Sequence, residues 1–385
     1  MLRWAWRHKR AIALGTLGAA TAYGAYVVYR KKRELEDLLE SVGLNELLSG
    51  GGSLGGRHSR EARVREHFAE TQKAADQLAL DALPRLRETI ASLIDTEALR
   101  EKMRKERQMS NMELWHEMMV LVVARVLTTQ YAAALYVLLL RTKLNIVSRH
   151  YLLEVIEARA DDSTPVLSNL SKRRFLSSEH FLSDGLHALA AEVTACVRSH
   201  LTAQLDAAKL AEMLTAEDAL ALLRPARADL EYGLGGATPT AAPAPVSDRN
   251  GSAAAGAHRG LLGRFLREEL SASVGAVAEG DQLHGLLHES TDLIDSAACR
   301  LTLGDLLTAG FGALSTELHV LIGGGLTAAE GDSPPPPKRL QLAKLLAQLN
   351  KVAITSLAKP DPVVDAILAT PALDELCWMA YSGDD

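Results

Sequence analysis

From Arg57 to Asp184 the chain contains no glycine, and from Arg85 to Thr164 it contains no proline. Sheet proteins turn roughly every 8–12 residues, and their turns recruit glycine for left-handed backbone and proline for a fixed φ. A stretch this long without either, rich in Ala, Leu, Glu and Arg, is expected to form long helices. Aromatic residues are only 4% of the 385, which also argues against a β-sandwich or barrel. All-β architecture is excluded, a doubly wound α/β fold is disfavoured, and the expected class is all-α.

The first 33 residues differ from the rest. They hold eight Lys and Arg and no acid, so the net charge of −6 averages a basic leader with a body carrying 34 bases against 48 acids. Such an acidic body offers no electrostatic footprint for nucleic acid. Within the leader, Ala11–Tyr29 is uncharged. As a helix it would span about 28 Å, close to the hydrocarbon thickness of a bilayer. Arg7, Lys9 and Arg10 precede it and Arg30, Lys31, Lys32 and Arg33 follow, placed to reach the headgroups, with Trp4, Trp6, Tyr23, Tyr26 and Tyr29 suited to the interfaces. A secretory signal would have a shorter apolar core and a cleavage site before a neutral start, and a mitochondrial leader would be amphipathic throughout. A retained single-span anchor fits best. Its orientation is not readable from charge, since four bases flank each side.

The expected organisation is a membrane anchor and targeting segment (1–33), a stem with a glycine hinge (34–57, ending in the run Gly50–Gly56), and a helical bundle (58–385). Two breaks interrupt the bundle: an Ala/Pro/Gly/Ser insertion at 233–260, unable to order itself, and a proline-rich connection at 323–337. Helical patterning covers His58–Ile94, with Pro84 expected to kink or restart it, then Thr96–Glu106. Ser110 and Glu113 fit a capping box that opens a long helix to about Ile156. Further helices are expected at Ser177–Leu205, Ala207–Leu223, Gly260–Leu270, Asp281–Ala297, Leu301–Ile322, Lys338–Leu357 and Pro362–Tyr381. Met118–Leu140 is long enough to span a bilayer and carries one charge, Arg125. That charge costs about 2.5–3.5 kcal/mol near a membrane midplane. The segment also continues into amphipathic flanks, so a central helix buried on all sides is the preferred reading.

The sequence carries no complete catalytic or metal signature. There is no phosphate-binding G-x-x-x-x-G-K-[ST] loop, no G-x-S-x-G and no EF-hand loop. His116-Glu117 begins H-E-x-x-H, but Val120 stands where the second ligand belongs. His284 and His288 form an i, i+4 pair better explained as surface residues. Cys196, Cys299 and Cys377 are far apart and odd in number, which suggests free thiols in a reducing compartment without a zinc site. No enzyme, catalytic residue, metal or cofactor is expected. Trp115, Met118, Met119 and Val122 fall on one helical face at i, i+3, i+4 and i+7, an adaptable apolar surface. From the residues alone, Trp115 either closes the end of the bundle or opens a docking surface.

Several stretches occur in one order at family-like spacing: HFAETQ (67–72) with LPRLRETI (83–90), MELW (112–115) leading through YAAALYVLLLRTKLNIV (131–147), and RFLSSEHFLSDGL (174–186). With MLRWAWRHKR before the apolar segment, they resemble the peroxisomal biogenesis factor 3 family. Weaker similarity continues at 283–318 and at LQLAKLL (340–346). The resemblance implies an elongated, twisted helical bundle with one N-terminal transmembrane helix at residues 11–29. It implies location in the peroxisomal membrane, with the endoplasmic reticulum as a route there and the body facing the cytosol. It also implies a docking receptor for peroxisomal biogenesis factor 19, the chaperone-receptor of membrane-protein insertion, with inheritance or turnover adaptors as further partners. In this family an amphipathic helix of the partner enters an apolar groove. Trp115 matches the groove tryptophan and Met103 a groove leucine once one residue is inserted. Leu144 and Ile146 match the groove wall, and Lys344 a basic rim position. Asn111 and Gln341 depart from lysine and proline found in the family. The alternative is a helical tether on another organelle membrane that recruits cytosolic adaptors without an insertion role.

Overall fold

A computed structural model describes residues 57–105, 111–158, 169–201, 213–232, 280–323, 339–358 and 361–383. The anchor with its flanking bases, the hinge, Ser110, the 233–260 insertion, the expected Gly260–Leu270 helix and nearly all of the proline-rich connection lie outside these residues. The chain divides into two units, Met1–Ala74 and Ala75–Asp385. Of the first, the described part is the opening of helix α1 (Arg57–Leu93). The second holds the remainder of α1, α2 (Thr96–Lys105), α3 (Asn111–Ala158), α4 (Asn169–Leu176) and α5 (Leu186–Leu201). After these come α6 (Ala216–Tyr232), α7 (Gly280–Asp295), α8 (Ala297–Gly323), α9 (Leu342–Thr355), α10 (Pro362–Leu368) and α11 (Pro371–Ser382). The fold class is all-α, as expected. The one sheet among the described residues is a two-residue antiparallel bridge, β1 (Met213–Leu214) with β2 (Leu340–Gln341), which no sequence pattern announced.

Helix α3 is the axis of the second unit and touches each of α2 and α4–α11. It is apolar all round, so it has no solvent face to spare. From Met118 to Ser148 every residue but Leu121 is buried. By length and composition Met112–Leu153 would also suit a membrane; here its neighbours supply the apolar surroundings, and several of its polar groups find hydrogen-bond partners. Arg141 donates to Asp76 of α1 at 2.8 Å and to Asp374 of α11 at 2.6 Å. Lys143 donates to the Ser177 carbonyl at 3.1 Å, and Asn145 to the Arg141 carbonyl at 2.7 Å. The bonds of Arg141 and Lys143 to other segments offset the cost of burying charge and fix the rotation of α3 within the bundle, while that of Asn145 stays within α3.

Several boundaries depart from the expected ones. Pro84 lies inside a continuous α1 and does not restart it; the carbonyl freed at Leu80 is at a partly exposed position. The expected helix at Ala207–Leu223 is observed at Ala216–Tyr232. Thr215 and Asp218 start it by a reciprocal cap, with Thr215 N donating to Asp218 Oδ2 at 2.8 Å and Asp218 N to Thr215 Oγ1 at 3.3 Å. It then runs through Pro225, whose freed carbonyl belongs to the exposed Ala221. The expected Ser177–Leu205 helix opens with a π-helical turn at Phe181–Gly185, which lets Phe181, Leu182, Gly185 and Leu186 all face inward. Pro362–Tyr381 is two helices, because Pro371 forces Thr370 into extended backbone (ψ 118°).

Candidate partner-binding surface

Three helices that carry expected surface residues meet at one buried junction. α2 starts where Asp95 Oδ1 accepts from the amides of Glu97 (3.0 Å) and Ala98 (2.9 Å), an N-cap that leaves Thr96 buried at the first position. Thr96 Oγ1 accepts from Arg125 Nη1 of α3 at 3.0 Å and donates to Asn350 Oδ1 of α9 at 3.0 Å. One hydroxyl therefore links the helix of Met103, the helix of Trp115 and the helix of Lys344. Arg125, the charge that interrupted the apolar run, is part of this junction, and burial lowers its pKa from the ordinary arginine value.

On α3 the first turns differ from everything after them. Trp115 and His116 are partly exposed, while Met118, Met119 and Val122 are 9%, 1% and 1% exposed. Of the four residues read at i, i+3, i+4 and i+7, Trp115 alone is partly open to solvent, and Met118, Met119 and Val122 belong to the core. Beneath the tryptophan the two methionines and Val122 form a floor already packed into the bundle. Met103 on α2 is likewise half-buried, and Lys344 is exposed in the first turn of α9. Around the tryptophan the charges are mixed: Glu113 is exposed, and Glu117 pairs with Arg198 of α5 at 2.7 Å. Arg104 and Lys105 of α2 pair with Glu101 at 2.9 and 3.3 Å, exposed contacts of small energetic weight.

Leu144 and Ile146 are not brought to this surface. They belong to the same helix as Trp115, roughly 45 Å further along its axis at ~1.5 Å per residue, and are 5% and 0% exposed. They are core residues of the far part of α3. Val120, in the position that breaks the H-E-x-x-H pattern, is fully buried. His284 and His288 are exposed, and His288 lies 2.8 Å from Asp292.

One constellation escaped sequence reasoning. Cys196 and His200 on α5 meet Asp229 on α6, with ligand atoms within 4.8 Å of one another. The signal available was the i, i+4, i+8 spacing of Glu192, Cys196 and His200; the partner carboxylate lies too far along the chain to be read from spacing.

Fold and surface define an all-α bundle built around one buried helix, with a tryptophan opening at that helix's start. The family follows from comparison. Residues 58–383 match Peroxin-3, and the chain belongs to that family. Relatives named peroxisomal biogenesis factor 3 from Homo sapiens, Mus musculus and Rattus norvegicus are each 27% identical to it. The human match covers 52% of this chain and 51% of the relative, and the mouse match 51% and 50%. The chain thus spans about half the length of the curated relatives it matches. Family membership implies a role in peroxisome biogenesis.

Proposed function

We propose that this protein is a docking receptor of the peroxisomal membrane, held there by residues 11–29, that captures peroxisomal biogenesis factor 19 and so supports insertion of membrane proteins. The match to Peroxin-3 across residues 58–383 is the observation that carries this reading. The body faces the cytosol, and an amphipathic helix of the partner lies over Trp115. Trp115 and Met103 supply the apolar contact, Met118, Met119 and Val122 support them from the core, and Lys344 orients the acidic flank of the incoming helix. This is helix-in-groove recognition, in which a few desolvated anchors dominate the affinity. Leu144 and Ile146 support the site only through the integrity of α3.

Calorimetry with purified peroxisomal biogenesis factor 19 tests the surface. Trp115→Ala should weaken binding by about 2 kcal/mol or more, as for a buried aromatic anchor; unchanged affinity would remove Trp115 from the interface. Membrane attachment has a separate test. A chain lacking residues 1–33 should remain in the soluble fraction without detergent. If it still pellets with membranes, the Met112–Leu153 helix takes over the role of span.

A further inference from the structure

The seam between α5 and α6 carries side chains that partner docking does not use. Cys196 and His200 stand one turn apart on α5, and Asp229 meets them from α6. Asp229 Oδ2 lies 3.6 Å from Cys196 Sγ and 3.3 Å from His200 Nε2. Tetrahedral zinc with Zn–S of about 2.3 Å and Zn–N and Zn–O of about 2.0–2.1 Å separates its sulfur and oxygen ligands by about 3.6 Å and its nitrogen and oxygen ligands by about 3.3 Å. Two edges of such a ligand set are thus already in place. We infer that Cys196, His200 and Asp229 form a zinc(II) site that staples α5 to α6, with a water in the fourth position.

Glu192 precedes Cys196 by one turn on the same face of α5 and acts on it electrostatically. The thiol donates to the Ala226 carbonyl at 3.6 Å, beside the Asp229 and Glu192 carboxylates. Those carboxylates oppose a bare thiolate, and a divalent cation among them reverses the sign of the local field. Binding then follows a balanced exchange: the S–H bond breaks, the S–Zn bond forms, and one proton leaves to solvent. Thiolate, imidazole and carboxylate together suit zinc better than the hard cations, which prefer all-oxygen sites. His200 and Asp229 are 33% and 55% exposed, so the metal has an entry path. Cys299 and Cys377 are buried and do not belong to the group.

The experiment is a cobalt(II) titration of the full chain, purified in mild detergent, stripped with chelator and kept reduced. One equivalent should produce the near-ultraviolet thiolate-to-cobalt band and the visible bands of a tetrahedral site. About one proton should be released per metal, and zinc(II) should abolish the bands. Cys196→Ser should eliminate the thiolate band, while Asp229→Asn should keep it and weaken binding at least tenfold. Circular dichroism checks that each variant is folded, and His200→Gln substitutes for any that is not, with the same tenfold loss expected. Absence of the thiolate band in the unmodified chain, its survival in Cys196→Ser, or unchanged affinity in Asp229→Asn would each overturn the assignment.

Discussion

The two parts of α3 make opposite use of one helix. From Met118 to Ser148 it is a buried axis whose side chains meet other helices in all directions. Over the turn before Met118 it emerges, and Trp115 is left partly open to solvent. Composition shifts between them: Asn111, Glu113, His116 and Glu117 make the opening turns polar, whereas Met118–Leu140 carries one charge. Neighbours add to this difference: α2 and α4–α11 all pack against α3, while near its opening the partner of Glu117 is Arg198 in the last turn of α5. Exposure of a tryptophan at the end of an otherwise enclosed helix is thus a consequence of where the surrounding helices stop. An aromatic anchor in such a place rests on a rigid floor and loses little freedom when a partner covers it.

If that contrast is right, substitutions in the two parts should separate folding from binding. The largest effect belongs to the axis. Leu135 is fully buried, and Leu135→Ala removes its packing and leaves a cavity, at a cost of about 2–5 kcal/mol in denaturant unfolding. The affinity of the molecules that remain folded should not change. A cost below about 1 kcal/mol would mean that the middle of α3 is less tightly enclosed than its burial indicates.

The second effect belongs to the open end. Trp115→Ala should cost less stability than Leu135→Ala, because part of the ring already meets water. It should cost more affinity, about 2 kcal/mol or beyond by calorimetry. Loss of stability with no loss of affinity would invert the comparison and make Trp115 a lid on the core.

Much of this architecture was legible because helices need the absence of Gly and Pro, and the absence is visible over residues 57–184. The burial of α3 was legible too, from an apolar run that no single face could hold. What stayed hidden depends on contacts between distant residues. Nothing local foretells that Met213–Leu214 pairs with Leu340–Gln341, or that Thr96 links Arg125 to Asn350. Prolines misled in both directions: Pro225 is tolerated inside α6, whereas Pro371 divides α10 from α11. Family resemblance supplied Leu144 and Ile146 as groove residues, but position along a continuous 48-residue helix separates them from Trp115. Cys196 appeared isolated because Asp229 reaches it only through the packing of α6 on α5.

The smallest effect expected distinguishes a rim charge from a structural one. Lys344 is exposed at the third residue of α9, where a cation opposes the positive end of the helix dipole by about 0.3–1 kcal/mol. Lys344→Glu should therefore leave the fold intact or stabilise it slightly. If Lys344 orients an acidic flank of the partner helix, the same change should slow association several-fold at low salt, and the difference should shrink as ionic strength rises. Stopped-flow association rates at two salt concentrations decide the matter. Equal rates for both chains at low salt would confine recognition to the apolar opening at Trp115, and the contrast between the two parts of α3 would then account for the binding surface without help from α9.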